Sequence, residues 1–166
     1  EVTGAEIDFT WAPIDGLHLA LAGSYTDTEI NDFVGYNQFG VQEDFSGSEF
    51  PLTPKWQGTA MARYEWTVGS GMTAFVGGDV SYSDDFISDY EGPSGVADPV
   101  FEIEDVTLYG ARAGLSAADS RWNVTVWGRN LTDEFQPLTT RKITDAVVRF
   151  TGMPRTYGVS LTYNWL

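Results

Sequence analysis

The chain has no cysteine and a single histidine, His18. Disulfides and thiolate chemistry are therefore excluded, and a Cys/His zinc site cannot be assembled. A Ser-His-Asp arrangement would rest wholly on His18, which sits mid-segment among small residues, so no catalytic residue is assigned. Bases are scarce, with nine Lys and Arg against 24 Asp and Glu and a net charge of −15. Residues 1–54 hold ten acids and no Lys or Arg, a net of −10. Residues 55–105 net −8, and residues 106–166 net +3. Phosphate backbones need a basic footprint, so nucleic acid is not an expected partner. No apolar run approaches the roughly 18 residues of a membrane helix. The opening EVTGAEIDFTW has no signal-peptide pattern. Neither absence argues against a membrane crossed by strands, which need only about 9–11 residues of alternating character.

What is present is alternation. Aromatics reach 14% and glycine counts 18 while only 20% is charged, a mixture foreign to disorder. In TGAEIDFTW, Ala5, Ile7, Phe9 and Trp11 alternate with Gly4, Glu6, Asp8 and Thr10. In WQGTAMARYEW, Trp56, Gly58, Ala60, Ala62, Tyr64 and Trp66 alternate with Gln57, Thr59, Met61, Arg63 and Glu65. The closing RTYGVSLTYNWL sets Tyr157, Val159, Leu161, Tyr163 and Trp165 against small polar residues. Period two predicts strands near 3–12, 17–28, 56–67, 72–83, 104–116, 121–131 and 155–166. The sixth is imperfect, because Trp127 interrupts its polar set. The segment ITDAVVRF (143–150) is expected to extend a hairpin beyond the others.

The connections carry a second pattern. PIDG (13–16), VGSG (68–71) and AADS (117–120) have the chemistry of tight turns. Long segments near 28–55, 84–103 and 132–154 lie between them, so short and long connections alternate. In an up-and-down sheet this collects the short turns at one end and the long loops at the other, as in outer-membrane barrels. Trp11, Trp66, Trp122 and Trp165 fall beside short turns or the terminus, and Tyr25, Trp56 and Tyr82 fall at the opposite strand ends. Two such girdles suit the two headgroup levels of a bilayer. The fold expected is all-β, an antiparallel up-and-down transmembrane β-barrel segment of about seven strands. Its first and last strands run the same way, so it should not close on its own, because these barrels are antiparallel throughout. The apolar set, Leu19, Leu21, Ala60, Ala62, Val76, Val124, Val126, Val159 and Leu161, is expected to face lipid. Arg63, Glu65, Arg112 and Arg129 are expected to face the lumen, since charges there are tolerated beside water or a plug.

Candidate ligand chemistry is thin. The acidic DDFISDYEGPSGVADPVFEIED (84–105) offers oxygens for Ca²⁺ without EF-hand spacing, and GVQEDFSGSEF (40–50) joins Phe and acids in a second long loop. No metal or cofactor site is assigned, and the chain is not expected to be an enzyme.

Three segments carry a family resemblance. WNVTVWGRNLTDE (122–134) resembles the penultimate strand of TonB-dependent outer-membrane receptors, with its Asn-Leu-Thr-Asp ending. GMPRTYGVSLTYNW (152–165) resembles their closing strand, and VTGAEIDFTWAPIDGLHLALAGSYTDTE (2–29) a preceding hairpin. The resemblance implies a barrel of about 22 strands around a plug, importing a scarce solute such as a siderophore-iron complex, cobalamin or a sugar. Residues 1–166 are then its C-terminal portion, with the plug, the N-terminal strands and the energy-coupling TonB box lying outside them. Departing from the family's usual aromatic end, Leu166 follows Trp165. TYGVSLTY (156–163) resembles a barrel-assembly signal, with Gly158, Leu161, Tyr163 and Trp165 as its residues. The implied partners are outer-membrane lipid, the remaining strands and plug, the TonB complex and the barrel-assembly machinery. The implied place is the bacterial outer membrane, with the C-terminus in the periplasm. Two readings stay beside this one: a small self-contained outer-membrane barrel with a structural or adhesive role, and a soluble carbohydrate-binding sandwich.

Overall fold

The structure, a computed structural model, describes residues 1–37, 40–90 and 100–165. In chain order the strands are β1 (Val2–Trp11), β2 (Leu17–Thr28), β3 (Val34–Tyr36), β4 (Gln42–Asp44), β5 (Trp56–Val68), β6 (Met72–Ser83) and β7 (Phe86–Ile87). They continue with β8 (Glu102–Ile103), β9 (Val106–Ser116), β10 (Trp122–Arg129), β11 (Pro137–Ile143), β12 (Ala146–Thr151) and β13 (Thr156–Tyr163). No helix occurs among the described residues.

The seven long strands form one antiparallel sheet in the order β1-β2-β5-β6-β9-β10-β13. β1 and β13 are its two edges, so the wall is open, as the strand directions require. The turns have the expected chemistry. Gly16 (φ 81°) closes 13–16, and Gly69 (φ 58°) and Gly71 (φ 102°) close 68–71. Ser120 (φ 57°) turns 117–120, where its amide donates to the Ala117 carbonyl.

Strand ends differ from the expected ones for identifiable reasons. β10 stops at Arg129 because Asn130 turns left-handed (φ 50°). β13 ends at Tyr163, although the Asn164 amide still donates to the Arg121 carbonyl at 2.8 Å. Leu166, where the family pattern is broken, lies outside the described residues.

Register sorts the side chains. Phe9 pairs with Leu21, Leu21 with Ala60, and Ala60 with Val80. Tyr64 pairs with Val76, Val76 with Ala113, Ala113 with Val126, and Val126 with Val159. Directly paired residues share a face, so these rows build one apolar face across the wall. Among the described residues no second layer covers it. Val159 and Leu161 are 70% and 71% exposed, and Trp11, Trp56 and Val76 are also exposed. The opposite face carries Glu6, Asp8, Arg63, Glu65, Asp79 and Arg112.

The buried hydrophobics lie mostly elsewhere. Ile30, Phe45, Phe101 and Ile103 belong to the long connections, with Val106 at their border; Phe75 is the exception within the wall. Each long connection holds a small antiparallel pair, β3–β4, β7–β8 or β11–β12. The hairpin expected around 143–150 is β11–β12, extended to Pro137 and Thr151. The three connections pack on one another. The buried Thr140 amide donates to Ser88 Oγ at 3.0 Å, the Ser88 amide to the Phe101 carbonyl at 2.8 Å, and the Leu52 amide to the Ile87 carbonyl at 2.8 Å. Phe33, Phe45 and Tyr90 form a ring cluster with centroids 5.3–5.7 Å apart. A wall without a core thus carries a cap with one.

Candidate functional site

The polar face is laid flat by glycines. In register, His18 pairs with Arg63, Arg63 with Gly77, Gly77 with Arg112, Arg112 with Trp127, and Trp127 with Gly158, giving one row across six strands. A Cβ on Gly158 would come within 2.7 Å of the Trp127 ring. A Cβ on Gly114 would collide with Phe75, and one on Gly110 with the Asp79 carboxylate. Large side chains therefore lie down over the neighbouring strand, and only glycine leaves room for them. Trp127, which interrupts the polar alternation, is accounted for in this way, and its Nε1 donates to Ser160 Oγ at 3.1 Å.

The four charged residues expected on one face do share it. Arg63 Nη2 and Glu65 Oε2 are 3.3 Å apart, and the Arg63 guanidinium lies 3.7 Å above the buried Phe75 ring. Arg112 Nη2 donates to Met61 Sδ at 2.9 Å, while its buried Nε has no acceptor. The Arg129 guanidinium lies 5.5 Å from the Trp127 ring. Arg112, Arg129, Asp79 and Trp127 line one recess of about 660 Å³.

Six of the seven expected girdle aromatics occupy the apolar face, and Trp165 lies beyond the end of β13. Tyr25 and Trp56 pair across strands with ring centroids 4.6 Å apart. Trp66 stacks on Tyr64 at 5.6 Å, and Trp165 meets Tyr163 edge-on at 4.8 Å. Trp122 pairs with Tyr163, and Tyr82 with Gly58. Trp11 is level with Leu19 and Ala62 rather than with Trp66, an oblique stagger of the kind tilted barrel strands produce. The four residues of the expected assembly signal divide. Gly158 lies on the polar face, Leu161 and Tyr163 on the apolar face, and Trp165 beyond the strand.

The Asn-Leu-Thr-Asp segment and the Pro-Arg segment prove to be one structural unit. Asn130 is 5% exposed. Its Nδ2 donates to the carbonyls of Glu134 (2.8 Å) and Met153 (3.2 Å), and its Oδ1 accepts from the Glu134 amide (2.8 Å). Asp133 accepts from the Arg155 amide at 2.9 Å and pairs with its guanidinium at 3.4 Å. Asn130 and Asp133 (φ 61°) both adopt left-handed backbone, which Asn and Asp tolerate better than other residues bearing a Cβ. This clasp holds the start of β13 against the end of β10. Both motifs are visible in the sequence, but their joining depends on the fold.

In the cap, an acidic recess of about 630 Å³ is lined by Asp84, Asp85, Glu102, Glu104 and Asp105, with Lys55 among them. Glu49, 2.5 Å from Lys55, raises the ammonium above its usual range. Ser46 holds the Asp44 carboxyl below the usual carboxylate range by donating hydroxyl and amide bonds. Residues 91–99, within the candidate Ca²⁺ segment, lie outside the described residues. Among the described residues no three His, Asp or Glu side chains converge to hold a metal.

Comparison with known proteins agrees with this geometry. No curated protein sequence matches the chain. Among solved structures, the ferric yersiniabactin uptake receptor FyuA of Yersinia pestis is similar, with a TM-score of 0.76 and 15% identity, covering 99% of this chain and 23% of its own. BauA, the ferric preacinetobactin receptor of Acinetobacter baumannii, gives 0.68 and 21%, covering 98% of this chain and 22% of its own. The siderophore receptor PiuA of the same organism gives 0.69 and 18%, covering 96% of this chain and 21% of its own. The chain thus spans under a quarter of each of these receptors, and at such identities the likeness shows the fold alone. The profile described as TonB dependent receptor-like, beta-barrel matches residues 1–131, and the chain belongs to that family of bacterial outer-membrane barrels.

Proposed function

We propose that these residues form part of the barrel wall of an outer-membrane active-transport receptor that takes up a scarce solute, of which a siderophore-iron complex is the leading candidate. The observation that carries this reading is the two-faced wall. One face is apolar, exposed and rimmed by Trp and Tyr, and the other is polar and charged. Lipid covers the first face and the barrel interior adjoins the second. The similarity to three siderophore receptors supports the substrate class. In this reading residues 1–166 are the C-terminal portion, β1 and β13 pair with other strands of the same receptor, and a plug fills the lumen. The packed long connections face outward and the short turns face the periplasm, as does the C-terminus. β13, with Gly158, Leu161, Tyr163 and Trp165, presents the assembly signal to the barrel-assembly machinery. Energy comes through TonB.

The test is uptake of iron-55 loaded on a panel of siderophores by cells with the gene intact, deleted or restored, each with and without TonB. Uptake of one member should vanish on deletion, return on restoration and require TonB. Unchanged uptake across the panel, or uptake indifferent to TonB, defeats the proposal.

A further inference from the structure

The pairings β1–β2, β5–β6 and β9–β10 are each joined by a tight turn, and the turn sets their register. β10 and β13 are joined by residues 130–155, a connection too long to do so. The side-chain pattern does not settle their register either. A slip of β13 by one residue would turn its apolar set to the polar face, but a slip by two would not. Slipped two residues one way, Val124 faces Tyr163 and Val126 faces Leu161; slipped the other way, they face Val159 and Tyr157. Apolar meets apolar in both. Yet each slip moves β13 by about 7 Å along β10. In a closed barrel it would also change the shear, to which strand tilt and diameter are tied.

Three contacts distinguish these pairings, and all are mounted on the β9–β10 hairpin. At one end stands the Asn130 clasp, which grips the Met153 carbonyl, with Asp133 on Arg155. Its turn is anchored to β9, because the Leu131 amide donates to the Tyr109 carbonyl at 3.0 Å. The Leu131 side chain also lies where a Cβ on Gly128 would come within 2.7 Å. In the middle, the Trp127 ring lies on Gly158. At the far end, Asn164 Nδ2 donates to the Ser120 carbonyl at 2.9 Å, in the tight turn that joins β9 to β10. A slip by two carries Met153 and Asn164 about 7 Å from their partners, beyond any hydrogen bond. It also brings Ser160 or Thr156 opposite Trp127, and so puts a Cβ where only glycine leaves room.

We infer that Asn130 with Asp133, Trp127 and Asn164 are register-setting residues, which hold β13 in one of three pairings that the alternation alone leaves equivalent. They are positioning residues, and their role is independent of what the receptor transports. Each lock favours the native pairing about tenfold, so slipped molecules are rare in the wild type.

The experiment is disulfide trapping in the full-length receptor, assembled in cells. The chain has no cysteine, and any cysteine elsewhere in the receptor is changed to serine. Val126→Cys with Val159→Cys traps the native pairing. Val126→Cys with Leu161→Cys, or with Tyr157→Cys, traps a slipped one. Directly opposed residues lie about 5 Å apart, within reach of a disulfide, and diagonal ones about 7–8 Å apart, beyond it. Only molecules that run as folded barrels on unheated gels are counted. The unlocked variant carries Trp127→Ala, Asn164→Ala, and Asn130→Gly with Asp133→Gly, which keep the left-handed turn. Both slipped traps should rise at least tenfold over wild type. A milder variant, Gly158→Ser with Ser160→Gly, moves the glycine seat two residues along β13 and leaves both clasps in place. It should raise the Leu161 trap and leave the Tyr157 trap unchanged. Phe45→Ala, a destabilising change in the cap, is the control and should leave both slipped traps at the wild-type level. Folded unlocked molecules trapped only as Val126–Val159 overturn the inference, as do slipped traps already strong in wild type. A rise in Phe45→Ala equal to that in the unlocked variant also overturns it, since register would then follow stability alone. A seat variant that raises both slipped traps, or neither, removes Trp127 and Gly158 from the set.

Discussion

Asn130→Ala in the full-length receptor tests the clasp most sharply. The side chain makes three hydrogen bonds, two donated by Nδ2 and one accepted by Oδ1, from a site that is 5% exposed. Each such bond is worth about 1 kcal/mol net. Water reaches the exposed Glu134 and Met153, so the groups left behind add little beyond the lost bonds. The backbone adds a second contribution. Asn130 sits at φ 50°, where alanine costs about 1 kcal/mol more than asparagine. The expected loss is about 4 kcal/mol. Asn130→Gly removes the same bonds without the backbone cost, so it should lose about 3 kcal/mol, and the difference isolates the left-handed turn. Asn130→Asp keeps the acceptor for the Glu134 amide but turns a carboxylate toward two carbonyls, so it should fall with Ala rather than with wild type. The assay is urea unfolding in lipid vesicles, followed by gel mobility without heating. An Ala variant within 0.5 kcal/mol of wild type, on the scale of about 1 kcal/mol per bond, would refute the clasp as a stabilising unit. Glycine as harmful as alanine would refute the backbone contribution alone.

Four further outcomes are expected. Val126→Arg, on the exposed apolar face, should cost about 2–4 kcal/mol of barrel stability by the same assay, whereas Thr125→Arg, its neighbour on the polar face, should cost about 1 or less; equal costs would defeat the lipid assignment. Gly158→Ala should cost about 1–3 kcal/mol, because the new methyl meets the Trp127 ring, and Trp127→Ala in the same chain should relieve most of it; additive losses would show that the two do not meet. Phe45→Ala, at 0% exposure, should cost the cap about 3–5 kcal/mol while leaving the barrel's gel mobility unchanged; a lost mobility shift would show that cap and wall unfold together. Lys55→Met should loosen the connection between β2 and β5, which also holds Glu49, and raise protease cleavage between Glu49 and Pro54, by less than tenfold, since an exposed pair is worth at most about 1 kcal/mol; no change in cleavage would mean the pair holds nothing.

The wall was legible in the sequence because its signal is repeated. A single alternating run is ambiguous, but several runs joined by turns of alternating length leave little besides an up-and-down sheet. Even its irregularity was visible, since Trp127 stands out where a polar residue belongs. What the sequence does not show is register. That Trp127 lies on Gly158, Phe75 on Gly114 and Asp79 on Gly110 depends on which residue faces which across strands. Asn130 was visible within a motif, and Arg155 within another, but nothing along the chain says that they meet. The cap was the least legible part. β3, β4, β7 and β8 are two or three residues long and have no room for a period. They are held by contacts between distant segments, such as Thr140 with Ser88, and so carry little signal of their own.

These differences in legibility follow how each part gains its stability. The cap buries Phe45, Ile103 and Thr140 among its own three connections, so its packing needs no outside surface. The wall is a single layer, and a single layer buries neither face by itself. Its apolar face must meet lipid, its polar face must meet whatever fills the barrel, and its edges β1 and β13 must meet other strands, because unpaired backbone in hydrocarbon costs several kcal/mol per group. Three of the wall's glycines are therefore more than gaps in the pattern. Gly110, Gly114 and Gly158 let charged and aromatic side chains lie along the wall. A polar face kept low in this way can lie close against a second body inside the barrel, whereas one with upright Trp, Phe and Arg side chains would hold that body off. Substitutions should therefore divide by place. Those in the cap core should alter how the long connections pack on one another. Those at the apolar face and the edges should alter whether the barrel assembles, and those at the glycine seats should alter what fits within it.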